Sequence, residues 1–203
     1  MIKKHEYIEK SLELAKEKLF YELNISEKDI IYKHEEDQGG LFKTKKVKLT
    51  AILKDDLIEY VRNLINDITA KMGIEVKIEA QKRDDYLKFT LFSDNNSILI
   101  GRNGQILNSI QIIVRSSIQN LTGFKINIII DVEGYREKQH KNLERTIKRI
   151  AFGVRKTGVS STLDPMNSYE RRLVHSICTN IKGVVTESIG EEPNRCITIK
   201  KQD

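Results

Sequence analysis

The chain has 203 residues, with 35 Lys and Arg against 29 Asp and Glu, a net charge of +6 and a pI near 9.1. That length suits one large domain or two to three small ones. No apolar run reaches the roughly 18 residues of a membrane span, and the first residues are too charged for a secretory signal, so a cytoplasmic protein with no stable membrane insertion is expected.

In chain order, His5 to Leu23 reads as an amphipathic helix, with Ile8, Leu12, Ala15, Leu19 and Leu23 on one side. Ser26 to Asp29 turns the chain, Ile30 to Lys33 is a short strand, and Gln38-Gly39-Gly40 is a turn. Val47, Leu49, Ala51 and Leu53 then alternate with Lys46, Lys48, Thr50 and Lys54, as a strand requires. These elements make a small α+β module with a thin core. Asp55-Asp56 offers an N-cap for a helix bearing Leu57, Val61, Leu64, Ile65, Ile68 and Met72, which Gly73 closes. Ile74 to Gln81 and Leu87 to Leu91 alternate as two further strands around the turn Arg83-Asp84-Asp85.

The next stretch, Ile98-Leu99-Ile100-Gly101-Arg102-Asn103-Gly104, joins a short apolar turn to a helix N-terminus. Ile106, Leu107, Ile110, Ile113, Val114, Ile118 and Leu121 form the apolar stripe of that helix. Unpaired N–H groups and the helix dipole at such a terminus favour an anion. Glycines lacking Cβ admit a sugar-phosphate backbone, and Arg102 adds a charged donor. Gly123 ends the helix, and Phe124 to Val132 is a third strand.

Gly134 opens the last third of the chain, where the whole charge excess lies. Residues 1–133 hold 21 basic and 21 acidic side chains, whereas 134–203 hold 14 basic and 8 acidic ones. Such an asymmetry is the electrostatic footprint of a nucleic-acid contact. A helix from Tyr135 buries Leu143, Ile147, Ile150, Ala151 and Val154 and carries Lys138, Lys141, Arg145, Lys148, Arg149 and Arg155 opposite. Ser160 to Leu163 is a short strand, and Asn167 with Glu170 forms a capping-box start for a second helix. That helix buries Leu173, Val174, Ile177 and Ile181, and its opposite stripe is Arg171, His175, Cys178 and Lys182. Val184 to Ser188 and Arg195 to Lys200 are strands flanking the turn Gly190 to Asn194. Cys178 and Cys196 have no metal-type spacing and read as buried free thiols.

The run Ile100-Gly101-Arg102-Asn103-Gly104, with Leu107 and Ile110 three and six positions on, resembles the KH-domain signature. The helix–strand–strand–helix–helix–strand order over residues 55–133 is similar to the type II arrangement. The resemblance implies that Gly101, Arg102, Asn103 and Gly104 clamp the backbone of about four nucleotides of single-stranded RNA. It further implies a base groove lined by Ile98, Ile100, Ile106 and Leu107. The segment Asp164 to His175 resembles an Arg-x-x-x-His single-stranded nucleic-acid-binding domain. That implies a second site on Arg171 and His175 with Arg172 and Lys182. A planar Arg fork suits a phosphate, and an imidazole can donate once or stack on a base.

A small N-terminal module followed by these two domains resembles the Jag family, also called KhpB or SpoIIIJ-associated proteins. The segment Asp37 to Lys43 departs from that family's Lys-Lys-Gly-Phe-Leu-Gly-type motif, keeping only glycines and an apolar pair. The expected organisation is α+β, three modules in tandem: 1–54, 55–133 and 134–203. The expected function is non-catalytic binding of single-stranded RNA, with single-stranded DNA as the alternative ligand. The resemblance implies a bacterial post-transcriptional regulator tied to cell shape, division or sporulation, a small single-KH protein partner and self-association. The competing reading is a protein-interaction adaptor at the membrane-protein insertase or a division complex. His5, His34, His140 and His175 are the only histidines, and no carboxylate cluster neighbours His175, so a nuclease is disfavoured. No cofactor and no metal are expected.

Overall fold

The computed structural model describes residues 2–37, 46–83 and 85–202. They form two compact units, Met1–Gly134 and Tyr135–Asp203. Among the described residues there are three sheets of three strands each.

The first unit opens with strand β1 (Lys4–Glu9), helix α1 (Leu12–Leu23), β2 (Ile30–Asp37) and β3 (Lys46–Leu53). β3 is the centre of the sheet and pairs antiparallel with both neighbours. The helix expected from His5 therefore begins seven residues later. Lys4 to Glu9 alternates between solvent and a half-buried side, and it runs against Ile52 to Val47. Ser11 then caps α1, its hydroxyl accepting from the Leu14 N–H at 3.3 Å. Sheet pairing outweighs the helical period here, and Ile8 stays exposed rather than joining the α1 core. Ala15, Leu19, Ile30, Leu49 and Ala51 make that core. The Gln38-Gly39-Gly40 turn lies outside the described residues.

β3 passes directly into α2 (Lys54–Lys71), whose N-cap is Leu53 with no side-chain cap bond. Asp55 and Asp56 thus occupy the first turn rather than the cap, where they still oppose the helix dipole. β4 (Lys77–Lys82) begins after Ile74, because the Ile74 N–H is spent on the Thr69 carbonyl at the end of α2. β4 pairs antiparallel with β5 (Leu87–Phe92), and β5 pairs parallel with β6 (Ile128–Val132). The parallel return is made by α3 (Asn96–Ile100) and α4 (Gln105–Thr122). Leu57, Val61 and Ile65 of α2, Leu107, Ile110, Val114 and Ile118 of α4, and Leu87, Phe89, Leu91, Ile128 and Ile130 of the sheet are buried. Ile113 and Leu121, expected in the stripe, are exposed. Thr122 is buried instead, its hydroxyl donating to the Ile118 carbonyl at 2.7 Å.

The second unit runs α5 (Tyr135–Thr157), β7 (Ser161–Thr162), α6 (Ser168–Thr179), β8 (Val184–Ile189) and β9 (Cys196–Lys201). β9 is central, antiparallel to β7 and β8. Its core joins Ile147, Ala151 and Val154 of α5 to Val174, Ile177 and Cys178 of α6 and to Ile197 and Ile199 of β9. The expected capping box at Asn167 is present: its Oδ1 accepts from the Tyr169 and Glu170 N–H groups at 3.0 Å, and Glu170 accepts from the Asn167 N–H at 3.2 Å.

Candidate nucleic-acid interface

The segment between α3 and α4 is built on three left-handed residues. Gly101 has φ +70°, Asn103 +52° and Gly104 +77°. Gly101 pairs that φ with ψ −177°, a region essentially reserved for glycine. A Cβ there would lie 2.6 Å from Ile106 Cγ1, so the chain closes onto its own helix only because the side chain is missing. The Gly101 N–H donates to Ser97 O (2.9 Å) and the Gly104 N–H to Gly101 O (3.3 Å), which fixes the turn. Arg102 and Asn103 are exposed at its tip, and Gly104 is buried beneath them. Gly104 caps α4 without a side-chain bond, so the first-turn N–H groups have no cap side chain to bond.

Of the expected groove residues, Ile98 is about half exposed, at 49%, while Ile100 and Ile106 are half-buried. Leu107 is 1% exposed and belongs to the core; the groove wall is shorter by that residue.

In the second unit the expected solvent stripe of α6 needs correction. Arg171 and Cys178 are buried, His175 is half-buried, and only Lys182, beyond the helix end, is exposed. The Arg171 guanidinium donates to Met166 O (2.8 Å) and Ser168 Oγ (2.9 Å) and pairs with Glu192 (2.8 Å). It ties the start of α6 to the β8–β9 turn. His175 Nδ1 lies 2.5 Å from Thr186 Oγ1, while its other ring nitrogen has no hydrogen bond among the described residues. Arg172 is exposed and anchored by Nε donating to Ser168 O at 3.2 Å. Spacing alone hid the partners Ser168, Thr186 and Glu192. Only Ser168, three residues before Arg171, lies beside the motif in the sequence.

On α5, Lys141 and Lys148 are matched by Glu137 and Glu144 one turn earlier. Lys138, Arg145, Arg149 and Lys156 are exposed on the same helix with no ion pair among the described residues. The Arg155 guanidinium lies 4.9 Å from the ring of half-exposed Phe152. No group of three His, Cys, Asp or Glu that could hold a metal occurs among the described residues.

A β-strand pair closed by a helix–GxxG–helix return, followed by a separate unit built round an Arg-x-x-x-His motif, defines a tandem nucleic-acid-binding protein of the KH class. Residues 56–130 match the KhpA/KhpB KH domain, and residues 141–201 match the domain named for the Arg-x-x-x-His motif. The chain belongs to the KhpB family. It is 35% identical over 154 residues to the RNA-binding protein KhpB of Clostridium symbiosum, covering 76% of this chain and 68% of that one. It is 26% identical over 162 residues to the KhpB of Bacillus subtilis (79% and 78% covered). Against that of Lactiplantibacillus plantarum it is 27% identical over 132 residues, 65% of this chain and 41% of the relative.

Proposed function

We propose that the chain is a non-catalytic RNA-binding protein that holds single-stranded RNA on two tethered surfaces. One observation carries this reading: an outward Arg102–Asn103 tip on two left-handed glycines at the uncapped start of an 18-residue helix. Backbone N–H groups, the helix dipole and Arg102 converge there on the place a phosphate would occupy. Ile98, Ile100 and Ile106 give the bases an apolar wall. The second surface comprises Arg172, Lys182 and the accessible side of His175, extended by the cations of α5. In it Arg171 shapes the surface and does not contact RNA. Two weak modules on one chain raise avidity without new contacts. The division into modules 1–54, 55–133 and 134–203, and a role in cell shape, division or sporulation, rest on the resemblance to the family.

The direct test replaces both tip residues, Arg102→Asp with Asn103→Asp. Both are exposed, and Asp tolerates the left-handed conformation, so the fold should be kept. RNA affinity, read by fluorescence anisotropy, should fall tenfold or more, about 1.4 kcal/mol. Unchanged affinity in a folded protein would refute the clamp. For the second surface, Arg172→Ala with Lys182→Ala should flatten the dependence of log K on log[salt] by about one to one and a half units on a single strand.

A second reading, protein association, is favoured by Ile112 and Ile113, which are 64% and 49% exposed side by side on α4. A single-KH partner or a second copy would cover them. Light scattering of Ile113→Glu against the natural chain tests it, and an unchanged mass distribution, alone and with the partner, would refute it.

A further inference from the structure

α5 turns Ile147, Ala151 and Val154 into the core of its own unit and leaves one large apolar side chain in water. That residue is Phe152, 47% exposed on the far face of the helix. A single exposed Phe is ordinary; its surroundings are not. Helical spacing places Lys148 and Arg149 one turn before it, Arg155 and Lys156 one turn after it, and Arg145 two turns before it. All of these cations are exposed, and residues 145–156 contain no Asp or Glu. The ring stands in the middle of a cationic strip.

The ring is also held. The Arg155 guanidinium lies over it, 4.9 Å from the centroid. The Arg155 stem runs against Gly183 between α6 and β8, where an added Cβ would lie 3.3 Å from both Arg155 Cγ and Cδ. Gly183 follows Lys182 in the chain, so the pair Phe152–Arg155 adjoins the Lys182 end of the second surface. Cations alone attract any anion. A flat apolar ring among them selects a ligand that alternates phosphates with flat groups, which is a single-stranded nucleic acid. Residues three and four apart on a helix have Cβ atoms roughly 5–6 Å from one another, so cations flank the ring closely enough to meet the phosphates on either side of a base stacked on it. A lipid surface fits poorly, because an interfacial helix gives its apolar stripe to the acyl chains and that of α5 is buried in its unit. An acidic peptide matches the charge but brings no regular flat group to the ring.

We propose that Phe152 is a base-stacking platform for single-stranded RNA, with Arg155 holding the ring and Arg149 and Lys156 engaging the phosphates on either side. The proposal rests on the RNA-binding reading above and adds to it a base contact outside both the GxxG groove and the Arg-x-x-x-His motif.

The natural chain has no tryptophan, so Phe152→Trp in the full chain puts a single fluorophore at the site and keeps a stacking face. Titration with a short single-stranded RNA should quench it saturably, and an abasic strand of equal length, with the phosphates but no bases, should not. Tyr21→Trp, exposed on α1 one turn after Glu17, is the control and should stay unquenched. Phe152→Leu should keep the fold, since the ring is half in water, and should lose affinity about tenfold by anisotropy, within what one base–aromatic stack contributes. Its salt slope should match the natural chain's, because a stack releases no counterions, whereas Arg149→Ala with Lys156→Ala should flatten the slope by about one to one and a half units. Equal quenching by the abasic strand or in Tyr21→Trp, or natural affinity in Phe152→Leu, overturns the proposal. A response of Phe152→Trp to anionic phosphatidylserine vesicles and none to RNA also overturns it and gives the face to a lipid surface. RNA binding seen by anisotropy without quenching in Phe152→Trp removes the platform and leaves the RNA-binding reading standing, while a natural chain that binds no RNA removes both.

Discussion

Replacing Arg171 by Ala separates two roles that the Arg-x-x-x-His spacing cannot distinguish, a ligand contact and a structural strut. Its guanidinium is buried and donates to Met166 O and Ser168 Oγ, and both distances are below 3 Å. Hydrogen bonds from a charged donor contribute about 1.5–3 kcal/mol each. The third partner, Glu192, is 59% exposed, so that ion pair contributes at most about 1 kcal/mol. Water reaching the opened site recovers part of the loss, and the net destabilisation of the unit Tyr135–Asp203 should be about 2–4 kcal/mol. For a domain of about 60–100 residues, each kcal/mol shifts the melting temperature by roughly 4–8 °C, so calorimetry should show the unit's transition fall by about 10–25 °C.

Arg171→Lys should recover little, because one ammonium cannot reproduce the forked donor. Glu192→Gln should cost under about 1 kcal/mol, since its side chain is mostly in water. RNA affinity measured well below the lowered transition should stay within about threefold of the natural protein, under roughly 0.7 kcal/mol. A variant that keeps its melting temperature but loses RNA affinity would refute the strut and make Arg171 a ligand contact.

Gly101→Ala should cost about 1–3 kcal/mol for backbone strain and push Ile106 off its seat, read as lowered stability in urea with shifted amide resonances around the loop; an unperturbed spectrum would contradict the close approach. Burial, helped by Lys3 and opposed by Asp56, holds the His5 imidazole below its ordinary value near 6.5. The unfolded chain therefore binds the proton first. Stability should be fullest above pH 6.5, fall as pH drops below it, and level off once folded His5 is also protonated. His5→Gln should flatten that part of the profile, and an identical profile would remove His5 as the cause. Burial pushes the Cys178 thiol above its ordinary value, whereas Cys196 is only half-buried. A thiol reagent should modify one cysteine per folded chain quickly, with Cys196→Ser abolishing the fast phase; two fast thiols would contradict the packing of Cys178 against α5 and β9.

How much was legible in the sequence followed from where the controlling interaction lies along the chain. The KH topology was readable because alternation in Leu87 to Leu91 and helical spacing in Leu107 to Ile118 are local patterns. The capping box at Asn167 spans three residues and was equally plain. Lys4 to Glu9 misled because its fate is set by pairing with β3, more than forty residues away along most of its length. Ile113 and Leu121 misled because an apolar stripe wider than the available sheet leaves its edges in water. For Arg171, spacing gave the right helix but the wrong side of it, while Leu107 lies in the buried stripe its spacing gives.

The two candidate surfaces differ in the same way. The GxxG tip is a backbone device: its geometry is imposed by glycines and a helix start, so seven consecutive residues carry most of it. The surface around Arg171 and His175 is a side-chain device, and its geometry depends on Ser168, Thr186 and Glu192, two of which reach the motif from other elements. Burying the motif arginine costs a solvated charge, and the structure compensates that cost with a carbonyl, a hydroxyl and a carboxylate. The compensation also restrains the β8–β9 turn against the start of α6. The arginine's effect would then be read in the stability of the unit, and a charge-preserving lysine would not restore it. This makes the conservative variant more informative than the alanine. A phosphate contact tolerates Arg→Lys with a modest loss, whereas a forked strut does not.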